Sequence, residues 1–455
     1  MWSGYRSRFS RYIDRMSPFQ IIVLFYLSAA AISTLLISLP FLHKEGVSIS
    51  FIDSLFTAVS AISVTGLGVI STPDTFNTGG YFVLMFILQF GGIGVMTLGT
   101  FVWLLLGQKI GLKRRQLIKT DQNRSNFSGI VRLIRQILMI ILLIELIGAI
   151  ILGTYYIQYF PTIHEAFIQG AFASVSATTN AGFDITGSSL VMFQNDYFVQ
   201  FVNMILLTLG AIGFPVLIEV KDYLSKREND FFHFSLFTKL TSVTFAALIV
   251  VGAFLIYWFD RHHFFQGRSW HESFFYALFQ SVTTRNGGLA TMDVSEFTTP
   301  TLLIICALMF IGASPSSVGG GIRTTTFAIM VLSIFSYARG KSHVSVFRRE
   351  IHEDDIFRSF IVICTAMSIV GLAIVLLKYN EPQFTLMEII FESCSAFGTT
   401  GLSMGITPDL HTGGKLVIIG LMFIGRIGIF AFLFILRRNS TKETYHYPKE
   451  SMIIG

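Results

Sequence analysis

Eight apolar stretches dominate this chain, and no water-soluble fold hides so many: residues 19–42, 82–106, 130–157, 198–220, 240–259, 300–335, 357–377 and 415–436. Each reaches the roughly 20 residues a helix needs, at about 1.5 Å per residue, to cross a hydrocarbon core about 30 Å thick. Only 13% of the residues are charged and 52% are hydrophobic, against roughly 25% charged in soluble domains. The expectation is an all-α membrane protein with eight transmembrane helices.

The basic residues sort by side. Arg6, Arg8, Arg11 and Arg15 precede the first run, and that segment enters a full-length span without a small-residue cleavage site, as a basic tail does and a signal peptide does not. The even-to-odd connections hold Lys109, Lys113, Arg114, Arg115, Lys119 and Arg124, then Lys221, Lys226 and Arg227, then Arg339, Lys341, Arg348 and Arg349. Arg437, Arg438, Lys442 and Lys449 follow the last run, whereas the first odd-to-even connection has Lys44 alone and 158–197 has no Lys or Arg. By the positive-inside rule both termini are cytoplasmic. The net charge of +6 thus serves topology, and no folded basic domain exists to bind nucleic acid. Cys306, Cys364 and Cys394 lie far apart inside apolar segments, as inert core residues do, with neither disulfide nor metal spacing.

Between the spans one pattern recurs. "SAISVTGLG" (60–68), "SATTNAGFD" (176–184), "VTTRNGGLA" (282–290) and "SAFGTTGLS" (395–403) align without gaps, with glycine always seventh: Gly66, Gly182, Gly288 and Gly401. In the third copy Gly287 is adjacent, which leaves a register one residue earlier open. Ahead of each glycine lies an apolar stretch of about a dozen residues opened by an acid, Asp53, Glu165, Glu272 or Glu388. A twelve-residue helix is about 18 Å long, too short to cross and suited to a re-entrant segment. The acid favours the positive end of the helix dipole, so four negative C-terminal ends aim into the membrane at one point, where a cation is stabilised. A second recurrence follows in the next span: "QFGGIG" (89–94), "TLGAIG" (208–213), "FIGASP" (310–315) and "FIGRIG" (423–428).

The unit is span, pore helix, glycine turn, span, fused four times with pseudo-fourfold symmetry around one pore. Its boundaries are a cytoplasmic N-terminal tail (1–18), repeat 1 (19–106), repeat 2 (130–225), repeat 3 with a broken second span (238–337), repeat 4 (355–436) and a cytoplasmic C-terminal tail (437–455). Irregular backbone at membrane depth survives only in protein or beside water, and four such turns offer carbonyl oxygens in place of an ion's hydration shell. Glycine supplies the positive φ that turns those carbonyls. Hydroxyls of Thr65, Thr178, Thr179, Thr284, Thr399 and Thr400 add oxygens or brace the loops. With no carboxylate ring, neutral oxygens favour a weakly hydrated monovalent cation over a divalent one.

Four span, pore-helix, span units with one filter glycine each resemble the Trk/Ktr/HKT superfamily of K+ transporters, nearest the membrane subunits of bacterial Ktr systems, over about 19–436. The resemblance implies a selectivity filter of Val64, Thr65 and Gly66; Asn180, Ala181 and Gly182; Asn286, Gly287 and Gly288; and Thr399, Thr400 and Gly401, with K+ bound there as cargo. One matched glycine per copy, against the longer filter of ordinary K+ channels, points to fewer stacked ion sites and looser discrimination between K+ and Na+.

The sixth span carries "MFIGASPSSVGGGIRTTTF" (309–327). Proline costs about 3 kcal/mol inside a helix and each glycine about 1 relative to alanine, so Gly312, Ala313, Ser314, Pro315, Ser316, Ser317, Val318, Gly319, Gly320 and Gly321 form an intramembrane loop on the cytoplasmic side of the filter. The resemblance makes it a gate, and places Ser316 where the family more often has glycine. Arg426, in "FIGRIG", costs roughly 2.5 to 3.5 kcal/mol at mid-span. It either pairs with carbonyls of the broken loop or, held against that loop, raises a cation barrier by roughly 2 kcal/mol at about 8 Å and an effective ε near 20. Arg285, within the third segment, is expected to face away from the pore and tie the loop to a neighbouring acid. Glu145 and Glu219 are candidate proton or Na+ sites or carboxylates facing a neighbouring helix, and the scattered His262, His263 and His271 form no metal site.

No converging His, Asp or Ser groups mark an enzyme, and "GKS" at 340–342 lacks the first glycine of a P-loop. An inverted-repeat secondary transporter for another small solute is the alternative, but its broken spans pair in opposite orientations, whereas all four units here run the same way. The resemblance further implies a multi-pass protein of a bacterial cell membrane, no cofactor, possible Na+ dependence, a homodimer, and a cytosolic ring of nucleotide-binding regulatory subunits. The basic stretches 109–124 and 339–349 are candidate docking surfaces for that ring or contacts to anionic membrane lipid.

Overall fold

A computed structural model describes residues 18–94, 130–225 and 232–436, with 448 and 450. The basic N-terminal tail before Pro18, the connection from Lys109 to Arg124, Lys226, Arg227 and the basic residues after Leu436 lie outside the described residues, as does the end of the span expected at 82–106.

The chain is predominantly helical. Its main helices are α1 (Pro18–Ile37), α2 (Phe51–Ser63), α3 (Thr78–Ile93), α4 (Ile130–Tyr156), α5 (Ile163–Thr178), α6 (Tyr197–Ala211), α7 (Phe214–Leu224), α8 (Leu236–Asp260), α9 (Trp270–Thr283), α10 (Thr299–Phe310), α11 (Thr324–Ala338), α12 (Glu353–Asn380), α13 (Leu386–Gly398), α14 (Thr412–Ile427) and α15 (Ile429–Leu436). A two-stranded hairpin, Ser345–Val346 against Arg349–Glu350, links α11 to α12.

Among the described residues four helices are long and apolar enough to span a bilayer: α1, α4, α8 and α12. Large side chains such as Phe25, Leu35, Leu143, Phe254 and Val375 are exposed on them, as lipid-facing residues are. Each long helix packs against the short helix that follows it. Those four short helices, α2, α5, α9 and α13, start alike: the hydroxyls of Ser50, Thr162, Ser269 and Thr385 accept from the amides of Asp53, Glu165, Glu272 and Glu388. A hydroxyl cap with an acid three residues on ties up free first-turn amides and fixes where the helix begins.

The remaining apolar segments differ from the expected continuous spans. The segment expected at 198–220 is two helices bent by 103°, and that expected at 415–436 breaks between α14 and α15. α3 stops at Ile93. The cause is one glycine at the same place in each: Gly94, Gly213 and Gly428 have φ of +94°, +104° and +90° with ψ of +130°, +131° and +150°, a region closed to side-chain-bearing residues. The break expected only in the sixth span therefore recurs at Gly213 and Gly428, α3 ends at the matching Gly94, and the break is longest between α10 and α11. Straight pieces of 12 to 16 residues, α3, α6, α10 and α14, are about 18–24 Å long and lead away from the ends of the short helices. Cys306 and Cys394 are buried as expected of core residues, but Cys364 is exposed on α12.

Candidate functional site

The four short helices end at the aligned glycines, and the fold brings all four together. A methyl group on Gly66 would lie 2.9 Å from the Cα of Gly182, one on Gly182 3.0 Å from that of Gly288, one on Gly288 3.4 Å from that of Gly401, and one on Gly401 3.1 Å from that of Gly66. The circuit closes. Residues 66, 182, 288 and 401 have φ of +89°, +67°, +67° and +92°, so each needs glycine for its backbone as well as for the space. In the third segment Gly288 takes this position; Gly287 donates its amide to the Thr283 carbonyl at 2.6 Å.

Two residues before each glycine the chain is also left-handed: Val64, Asn180, Asn286 and Thr399 have φ of +58°, +54°, +71° and +52°. For β-branched Val64 and Thr399 that costs about 1–2 kcal/mol, strain of the kind kept at functional sites. Between them lie Thr65, Ala181, Gly287 and Thr400, all buried. The amides of Thr65, Ala181 and Thr400 return to the carbonyls of Ser60, Ser176 and Ser395 at 2.8, 2.7 and 2.9 Å, which ends each helix and starts the turn.

Several residues the sequence reading missed hold these turns. The hydroxyls of Ser60, Ser176 and Thr283 donate to the carbonyls of Leu67, Phe183 and Leu289 at 2.7, 2.5 and 2.6 Å. The serine opening the first and second aligned segments was the available signal for two of them; the third opens with Val282 and uses Thr283. Asn180 and Asn286 do more than fill a left-handed position, which suits asparagine: Asn180 Nδ2 donates to the Arg285 carbonyl at 3.2 Å, and Asn286 Nδ2 to the Gly398 and Thr399 carbonyls, the latter at 3.1 Å. Each asparagine side chain thus ties its segment to the next. Arg285 is buried and bonds the Leu308 carbonyl; no acid is its partner among the described residues, contrary to expectation, because α10 presents it a backbone oxygen instead.

Residues 312–321 lie directly against this circuit. The Gly320 amide donates to Thr399 Oγ1 at 2.8 Å, and a methyl on Gly319 would meet Asn286 Cγ at 2.5 Å. Neighbouring breaks grip the same loop: Ser314 and Val318 donate to the carbonyls of Ala211 and Gly210 at 3.1 and 3.3 Å, Ser316 accepts from the Phe214 amide at 2.8 Å, and Gly321 donates to the Gly425 carbonyl at 3.2 Å. Ser316 has φ +56°, a physical reason for glycine to be common there. Arg426 donates to the carbonyls of Val318 on the loop and of Gly91 and Gly92 at the end of α3, the carbonyl pairing weighed from sequence. Arg323, which the sequence reading passed over, donates to the carbonyls of Ser314 and Gly319.

A cavity of about 300 Å³ is lined by Gly66, Gly182, Gly288, Gly401 and Ser403 together with Asp184 and Asp293. A second, of about 60 Å³, is lined by Gly94, Ser316, Ser317, Arg323 and Arg426. The first cavity thus shares its wall with the four glycines and the second with Ser316 and Ser317 of the loop.

The cation transport protein family TrkH matches residues 5–443. The chain belongs to that family. Among curated TrkH-like relatives, Ktr system potassium uptake protein D of Bacillus subtilis (strain 168) is 55% identical over 99% of this chain and 100% of its own length. Ktr system potassium uptake protein B of the same organism is 34% identical, covering 97% of each chain, and the potassium/sodium uptake protein NtpJ of Enterococcus hirae is 32% identical over 97% of this chain and 98% of its own. The crystal structure of the potassium transporter TrkH from Vibrio parahaemolyticus shares the fold, with a TM-score of 0.70 at 18% identity over 93% of this chain and 86% of that one. As a TrkH-family protein the chain is a multi-pass membrane transporter and not an enzyme. Within it, Glu145 is buried in α4 and accepts from Gln89 of α3, and Glu219 of α7 accepts the Ser235 amide at 3.0 Å; the fold brings neither to the glycine circuit.

Proposed function

We propose that this TrkH-family chain takes up K+ by channel-like passage through the four-glycine circuit. The observation that carries the reading is the closed circuit of Gly66, Gly182, Gly288 and Gly401, each two residues beyond another left-handed residue. Such alternation turns successive carbonyls toward one axis. Val64, Thr65, Asn180, Ala181, Asn286, Gly287, Thr399 and Thr400 supply the oxygens that replace the water shell of a monovalent cation, and neutral oxygens suit K+ better than a divalent ion. Relatives named for potassium uptake support the cargo, and NtpJ, named for potassium and sodium, supports a role for Na+.

In this reading the four long helices and the four segments that follow the glycine turns make eight crossings, in four units of one orientation around one pore, with both termini cytoplasmic by the charge of the loops. An inverted-repeat transporter has no support in that arrangement. Residues 312–321 close the passage below the filter, with Arg426 as their latch: its charge adds a barrier and its bonds hold the loop. Membership of a Ktr-type system brings a homodimer and a cytosolic nucleotide-binding ring, for which the basic stretches 109–124, outside the described residues, and 339–349 are candidate docking surfaces or contacts to anionic lipid.

Expression in cells lacking K+ uptake tests this. The chain restores growth at low K+, and Gly401→Ser, which forces a side chain into φ +92° and against the Thr65 carbonyl, loses it. Growth unchanged by that substitution overturns the assignment of the circuit as the filter.

A further inference from the structure

The fourth segment is held differently from the other three. In segments one to three a helix hydroxyl donates to the carbonyl just after the glycine. In segment four Ser395 Oγ accepts the Gly401 amide at 3.1 Å, as Ser60 Oγ accepts that of Gly66 at 3.2 Å, but among the described residues no hydroxyl donates to the Leu402 carbonyl. The hold on this segment comes one residue further along, from an acid. Glu392 of α13, 1% exposed, accepts from the Ser403 hydroxyl and, at 3.1 Å, from the Thr407 hydroxyl. Ser403 lies two residues beyond Gly401 and lines the larger cavity, and its oxygen also accepts the Gly405 amide at 2.9 Å.

The aligned positions in the other segments are Thr57, Ala173 and Phe279. Only the fourth short helix therefore carries an acid at this position. Burying a carboxyl group is costly unless its oxygens are hydrogen-bonded, and both oxygens of Glu392 are spent on the strand leaving the filter. No ion pair compensates it among the described residues.

We infer that Glu392 is a positioning residue for the fourth filter segment: through Ser403 and Thr407 it fixes the strand after Gly401 and so sets how well the circuit distinguishes K+ from Na+. The inference rests on the passage reading above. Selectivity by carbonyl oxygens depends on their spacing and stiffness, and freeing one of four segments lets the circuit adapt to the smaller ion.

The test is the ratio of K+ to Na+ flux into liposomes containing the purified full-length protein, for the parent, Glu392→Gln, Glu392→Ala and Ser403→Ala. The expected result is a ratio lowered at least threefold in Glu392→Ala and Ser403→Ala, with Glu392→Gln, which keeps both acceptor and shape on one side, in between. Ser403→Ala keeps the test decisive where Glu392→Ala fails to fold, since it removes the tether from a residue lining the larger cavity. A parent that conducts K+ alongside a Ser403→Ala protein of parental ratio overturns the inference and leaves the passage intact. A parent without K+ flux overturns the passage reading and the inference with it.

Discussion

The amide of Gly320 donates to the hydroxyl of Thr399 at 2.8 Å, so the intramembrane loop is bonded to the fourth glycine segment. The same hydroxyl accepts Asn286 Nδ2 at 2.9 Å. One oxygen thus joins the loop and two of the four segments, and whatever moves the loop also pulls on the constriction.

Thr399→Val keeps the shape and removes that oxygen. Each lost hydrogen bond is worth about 1 kcal/mol, and the buried donors left behind cost more. In liposome flux measurements K+ passage rises at least twofold and the K+/Na+ ratio falls. If rate and ratio both stay at parental values, loop and filter are uncoupled.

Arg426 spans three carbonyls on two elements, Val318, Gly91 and Gly92. Arg426→Ala removes both the bonds and a charge whose barrier is about 2 kcal/mol at an effective ε near 20, and cation flux increases several-fold. Arg426→Lys keeps the charge but loses the fork and falls between. Uptake in Arg426→Ala equal to or below the parent, with the protein folded by size-exclusion profile, contradicts a latch.

Gly213 and Gly420 separate backbone need from helix propensity. Gly213, at φ +104°, would bring a methyl to 2.9 Å from the Pro315 carbonyl, whereas nothing lies within 4 Å of one on Gly420. Gly213→Ala lowers the melting temperature in detergent and impairs uptake. Gly420→Ala, gaining up to about 1 kcal/mol of helix propensity, leaves melting unchanged or raised. Equal behaviour of the two would mean that the bend at α6–α7 is dispensable.

How much of this was legible in the sequence depended on whether a feature is periodic or a matter of exact backbone angle. The long spans were written in apolar length. The four glycines could be aligned because their neighbours recur, and the break after α10 could be placed because Pro315 and three glycines rule out a helix. The end of α3 at Gly94 and the breaks at Gly213 and Gly428 were missed because a lone glycine in an apolar run costs only about 1 kcal/mol and does not reveal its φ. Val64 and Thr399 gave no sign of their left-handed turn, since β-branched residues avoid it; only Asn180 and Asn286 at the aligned positions hinted at it. Arg285 was expected to seek an acid, and Glu392 went unremarked, because sequence spacing does not say which carbonyl or hydroxyl a buried charge will meet.

The central claim is that residues 64–66, 180–182, 286–288 and 399–401 line one passage for a dehydrated cation. Anomalous scattering from crystals of the protein soaked in Tl+, a heavy mimic of K+, tests it most directly. The account predicts a peak on the axis of the four glycines, within coordination distance of backbone carbonyls from all four segments and absent when Na+ replaces Tl+. Occupied Tl+ sites confined to other parts of the molecule, with none inside the circuit, would contradict it.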